Sequence, residues 1–262
     1  MPICAFCQKD RELCASHSIP DGFFKAISRR NNGQLISIPE GDGKIGLSQN
    51  TGKAKLLCRE CETHFNKNFD SPLTNAFKAW DKQVKANGLG VRYDFSPNHL
   101  AQCIASVCWR ASVTGNSMYA NARVSMRDRA RLLALLLGDR GDTLKSCSCS
   151  ITRLYDKRPP NDGGFSQEIV SDIILPVNAY RISKKGKKPG NHFAFALLVQ
   201  GFLCHLMIPR LPHVLRVGPA FLKPSKTSLH APPQYFGDYK PLMNLMVAGL
   251  GKHLEGQSTL KD

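Results

Sequence analysis

Residues 4–20 read CAFCQKDRELCASHSIP and residues 55–65 read KLLCRECETHF. Each stretch carries two cysteines with two residues between them, Cys4 with Cys7 and Cys58 with Cys61. A C-x-x-C turn presents both sulfurs to one ion, and four thiolates match the tetrahedral, closed coordination of structural zinc. In the second stretch Leu56 and Leu57 precede the cysteines and a helical pattern follows. A knuckle on a hairpin joined to a second pair that opens a helix is the arrangement of a treble clef. A module this short depends on its metal, because it has little core of its own. Two unrelated pairs of buried thiols are the plainer alternative. Cys14, near the first knuckle, reads as a strand residue packing inward.

The chain has 262 residues, 42% of them hydrophobic, enough for one large domain or two smaller ones. No apolar run reaches the roughly 18 residues of a membrane span. No basic start followed by an apolar stretch marks a secretory signal, so a cytoplasmic protein is expected. In that setting ten cysteines argue for metal rather than disulfides. The 36 Lys and Arg against 20 Asp and Glu give a formal charge of +16, which favours a polyanionic partner. No basic amphipathic helix is evident, so nucleic acid is expected ahead of a membrane surface.

The fold class read from these patterns is α+β, in three parts. Residues 1–90 form the zinc-stabilised module, 91–164 a helical segment and 165–262 a β-containing region. Within the first part, QLISI is β-prone. Phe65, Phe69, Leu73, Phe77, Trp80 and Val84 then recur at helical steps, with Pro72 dividing or kinking the run before Asn87-Gly88. Ser96-Pro97 caps a second helix bearing Cys103 and Cys108. Ser125 with Asp128 opens a third that ends at Gly138. Cys147 and Cys149 form a C-x-C in an expected loop. From residue 165, EIVSDIILPV, NAYRIS and HFAFALLVQGFLCHLMIP read as strands, with a bend at Gly201. A short helix is expected within PLMNLMVAGLGKHL.

The first 85 residues, with C-x-x-C, then Ser16-His17-Ser18-Ile19-Pro20, then LLC-x-x-C leading into a helix, resemble the HNH or ββα-metal nucleases. The resemblance is strongest to the divergent zinc-knuckle branch of bacterial HNH-like proteins, some of them linked to defence against phage. It implies a metal-dependent endonuclease that hydrolyses phosphodiester bonds in double-stranded DNA. His17 matches the family's general base, and an imidazole is the side chain best suited to accept a proton near neutral pH. The resemblance further implies catalytic Mg2+ or Mn2+, which carries the developing charge. A regulatory protein partner or a second copy of the chain is also implied.

The chain departs from the family pattern at several positions. Ser16 stands where an acidic or histidine ligand is usual. Glu62 and Asn66 occupy the two helical ligand positions, and their oxygens suit a hard ion. His64, two residues past Glu62, faces away by roughly 200° on a helix. The signature asparagine is replaced at its usual place by Lys53, which leaves Asn50 as the nearest substitute. Candidate nucleic-acid contacts are Lys25, Arg29, Arg30, Lys53 and Lys55, with Lys184, Lys185, Lys187 and Lys188 in a later turn. His99, His205, His213, His230 and His253 have no partner at a recognisable spacing. Ser16 supports a rival expectation, a non-catalytic zinc module that binds nucleic acid or protein.

Overall fold

The computed structural model describes residues 2–39, 41–87, 96–182, 192–226 and 231–260, with residues 84–87 described in backbone only. It is a mixed α+β structure. The N-terminal part begins with β1 (Leu13–Ser16) and α1 (Asp21–Ser28). A small hairpin of β2 (Leu35–Ser37) and β3 (Gly46–Ser48) follows, then β4 (Ala54–Cys58) and α2 (Arg59–Phe65). Strands β1 and β4 pair antiparallel, with Leu13 opposite Cys58 and Ser16 opposite Ala54 and a register irregularity after Cys14. That pairing returns the chain to the first cysteine turn just as α2 starts.

Helix α2 does not stop at Phe65. It runs through a π-helical segment, Asn66–Asp70, into α3 (Ser71–Asn87). Pro72 thus falls inside a continuous helical run just after the wide π-helical turns, which accommodate its ring, and the Asn68 carbonyl four residues back is met by His99 Nε2. Leu73, Phe77 and Trp80 are buried as their spacing predicts, while Val84 lies outside the described side chains.

Helix α4 (Pro97–Val113) is the centre of the molecule. Ser96 caps it by accepting from the His99 N–H, and 14 of its residues, from Asn98 to Ser112, are buried. A helix covered on all sides carries no solvent face, which is why small residues such as Ala101, Ala105 and Ala111 alternate with large ones. Trp109 packs on Phe6 and Phe65, so the cysteine end of the fold is held against α4. Helix α5 (Met126–Leu137) starts at Ser125, which accepts from the Asp128 N–H, and ends at Gly138 as expected. The one-turn α6 (Thr143–Ser146) follows it.

Five strands form the main sheet: β5 (Ser148–Tyr155), β6 (Leu175–Arg181), β7 (Phe193–Val199), β8 (Phe202–Ile208) and β9 (Pro233–Tyr235). Their order is β6-β7-β8-β5-β9. Neighbours are antiparallel except β5 and β9. Gln200 and Gly201, both at positive φ of 50° and 72°, make the tight turn between β7 and β8, so the long apolar run does break at Gly201. The first part of the expected EIVSDIILPV strand is instead helical, residues Gln167–Ser171 forming α7 because Ser166 caps them and Val170 turns inward, while Leu175–Val177 at its end do enter β6. Cys149 is likewise not in a loop but in β5, whose nearly continuous burial hides the alternation that marks a half-exposed strand. The boundary at residue 164 therefore cuts through the sheet, since β5 lies between β8 and β9. The final helix α8 (Lys240–Leu254) takes up the whole PLMNLMVAGLGKHL stretch in which a short helix is expected.

The first 90 residues are also tied to the rest of the chain. One core joins Cys4, Phe65 and Phe77 to Trp109, Ile151 and Phe202. Lys252 of α8 donates to the carbonyls of Pro39, Gly41 and Gly43, and Ile45 bridges to Ser258. No described helix is long and apolar enough to cross a membrane.

Candidate metal centre and the adjoining histidine

The first cysteine turn is built by its backbone. Cys4 N–H donates to Lys9 O, Gln8 N–H donates to Cys4 O, and Gln8 takes a left-handed φ of 57° to close the loop. Ala5 N–H reaches Leu56 O at 3.1 Å, which fixes the loop against β4. Cys58 is the residue before α2 and Cys61 lies in its first turn. The four sulfurs of Cys4, Cys7, Cys58 and Cys61 all lie within 4.8 Å of one another, and Cys7 Sγ is 3.9 Å from Cys58 Sγ. Zinc–sulfur bonds of about 2.3 Å in a tetrahedron put sulfurs roughly 3.8 Å apart, so the cluster fits a zinc ion. All ten cysteines are free thiols, and Cys14 is not in the cluster.

Electrostatics agree with metal binding. Burial alone would raise the Cys4 thiol. Hydrogen bonds from the backbone of Cys58, Cys7 and Phe6 outweigh it and bring the pKa to about 7. The Cys58 N–H donates to Cys4 Sγ at 3.3 Å, the contact that stabilises a thiolate. Cys61 is shifted the opposite way, first by burial and then by the crowd of neighbouring sulfurs. Four thiols packed together without a cation cannot all ionise, which is the electrostatic condition a divalent ion relieves.

At the far end of the β1–β4 pair, Ser16 is buried and its hydroxyl donates to Glu62 Oε2 at 2.6 Å. His17 follows it directly, with its side chain 12% exposed. Its Nε2 lies 2.9 Å from Thr51 Oγ1 and 3.3 Å from Asp21 Oδ1. Burial holds the imidazole below its ordinary pKa. Lys53 and Arg110 push the same way, and Asp21 and Asp70 oppose them. The ring is therefore neutral at pH 7, the state a proton acceptor requires.

Asn50 does not reach the histidine. Its Oδ1 accepts from the Gly52 N–H and shapes the turn that delivers Thr51. Gly52 sits at φ 71°, where a Cβ would come within 2.8 Å of Met118 and Tyr119, so the turn beside His17 requires glycine. Asn66 is exposed one turn after Glu62 and accepts from the Ser71 hydroxyl. His64 points away and stacks near Phe6 and Phe69, as its spacing predicts. Among the described residues the four cysteines form the only group of three or more His, Cys, Asp or Glu within that 4.8 Å limit.

The expected nucleic-acid contacts are spread over several elements. Lys25 pairs with Asp21, Arg30 with Asp172, and Lys55 donates to Leu13 O. Arg29 and Lys53 are exposed. The lysines at 184, 185, 187 and 188, and His230, lie outside the described residues.

Two polar contacts of His17 lie outside the sequence-based expectations. Asp21 stands four residues after His17 in the first turn of α1, a spacing that was open to inspection. Thr51 is 34 positions away and carried no signal. Behind them, fully buried Arg110 makes a two-pronged ion pair with Asp70 and lies over the Phe65 ring at 5.2 Å. Of the histidines set aside, His99 contacts Asn68 O and His205 lies 2.9 Å from the Tyr180 hydroxyl.

Searches of family models, curated proteins and solved structures returned no match to this chain.

Proposed function

We propose that the chain is a metal-dependent DNA endonuclease whose first 90 residues form a zinc-stabilised treble clef of the ββα-metal type. The observation that carries this reading is the position of His17. It is a neutral, largely buried imidazole at the end of a two-stranded pair whose other end brings four cysteines together and leads into α2. In this reading zinc is structural. His17 accepts the proton of the water that attacks the phosphodiester. Glu62, with Asn66 one turn on, supplies oxygens that would hold Mg2+ or Mn2+, and such an ion supplies positive charge to the scissile phosphate when bound. One carboxylate is enough for magnesium, which keeps waters and takes substrate phosphate as ligands. The +16 charge supports a polyanionic substrate.

A second reading has its own support. Glu62 Oε2 is already engaged by Ser16 and His17 Nε2 by Thr51 and Asp21, as in a zinc module that binds nucleic acid without cutting it. Supercoiled plasmid incubated with the zinc-loaded protein and Mg2+ or Mn2+, alongside His17→Ala, separates them. Nicking by the wild type and none by the variant supports the endonuclease. Retardation of DNA without nicking in either ion supports the binder.

A further inference from the structure

The contacts of His17 define more than its location. Both of its polar neighbours, Thr51 Oγ1 at 2.9 Å and Asp21 Oδ1 at 3.3 Å, meet the same ring nitrogen, Nε2. A hydroxyl can donate or accept, so Thr51 alone leaves the ring's tautomer open. A carboxylate can only accept while it is ionised. Burial would raise the Asp21 carboxyl. The hydrogen bond from Lys25 at 2.6 Å and the nearby positive charges of Lys25 and Lys53 oppose it, and its pKa is held below the usual value. Asp21 is thus an anion at neutral pH, and its Oδ1, 3.3 Å from Nε2, acts on the ring as a charge that favours the proton on that nitrogen, where Thr51 Oγ1 is the hydrogen-bond partner.

From this geometry we infer that Asp21 is a positioning residue: with Thr51 it holds His17 in the Nε2–H form and leaves Nδ1 as the atom that takes the proton. The inference rests on His17 being the general base and specifies how that base is set. Asp21 sits in the first turn of α1, whose Phe23, Phe24 and Ile27 are buried, so the carboxylate is fixed by packing rather than by a mobile loop. Other charges facing the ring are Lys53 from the turn before β4, Asp70 from the π-helical segment and Arg110 from α4. Asp70 and Arg110 neutralise each other, which leaves Asp21 as the anion that acts on the ring directly. When the ring gains a proton at Nδ1, the same carboxylate stabilises the imidazolium, so the arrangement favours both the start and the end of the transfer.

The test compares 15N-labelled, zinc-loaded wild type with Asp21→Asn, an isosteric change that removes the charge, and with Thr51→Val as a second variant. Imidazole 15N shifts report the tautomer of His17 whether or not DNA is cut. The wild type should show Nε2–H. Asp21→Asn should lower the titration midpoint of His17 and weaken the tautomer preference. In nicking assays it should reduce kcat about 10- to 100-fold at pH 7 with KM little changed, and move the acid limb of the pH profile to lower pH. A wild-type ring protonated at Nδ1, or a His17 titration unchanged in Asp21→Asn, overturns the inference. A wild type that shows the Nε2–H pattern and cuts no DNA overturns the endonuclease reading and leaves the Asp21–His17 arrangement standing.

Discussion

The hydroxyl of Ser16 donates to the carboxylate of Glu62 at 2.6 Å, joining the last residue of β1 to the first turn of α2 across 46 positions. It places one anionic oxygen beside the residue preceding His17. An acidic residue at position 16 would repel Glu62 unless a cation lay between them. A serine instead satisfies the carboxylate with a single proton, so the pair is stable before any second metal arrives.

Removing that proton should be measurable. Ser16→Ala leaves Glu62 facing a buried methyl and is expected to cost about 1–3 kcal/mol, read from the urea midpoint. Glu62→Gln should keep zinc and fold but abolish Mg2+-dependent nicking. Full nicking by Glu62→Gln would remove it from the proposed cation site.

The zinc prediction stands apart from catalysis. Metal analysis should find one zinc per chain, and Cys58→Ser should lose it. Because Phe6 of the first turn packs on Phe65 and Trp109, the loss should loosen α2 and α4 as well as the knuckle. Binding free energy for such sites is of order 10 kcal/mol, so chelation should lower the melting temperature steeply rather than trim it. Wild-type protein that folds fully with no bound metal would show that the four cysteines are not a metal centre.

Arg110 and Asp70 form an ion pair in the interior. Arg110 is fully buried, and breaking such a pair by neutralising one member leaves an unpaired charge in the core. Asp70→Asn should destabilise by about 3–5 kcal/mol in denaturant unfolding, whereas Arg110→Met combined with Asp70→Leu should cost much less. Equal losses in the two proteins would mean the pair contributes through packing alone.

Acid should weaken the fold through its buried imidazoles. Burial lowers His205 from the ordinary 6.5 to about 4, and it also lowers His17 and His99. The unfolded chain therefore binds these protons more tightly than the folded one. Stability is complete above pH 6.5 and falls as the pH drops through 6.5 toward 4. His205 alone contributes a loss of roughly 3 kcal/mol across that window. Urea titrations at several pH values should show the slope, and His205→Gln should flatten it. A profile level between pH 7 and 4 would contradict the burial of these rings.

The sequence by itself determined what depends on neighbours a few residues apart. It specified the two C-x-x-C turns, the capped starts at Ser96 and Ser125, the break at Gly201 and the helical run through Phe77 and Trp80. Each follows from a period, a cap or a permitted φ, which act over one or two turns of chain. Only the tertiary structure decided that α4 is covered on every side, that β5 belongs to the sheet, and that Thr51 comes to His17 and Glu62 to Ser16. Those outcomes join positions 34 to 46 residues apart, or hide the alternation that would mark a strand. Local propensity carries no information about which distant surfaces meet. That is decided by which pairing buries the most apolar surface while satisfying the charges enclosed with it.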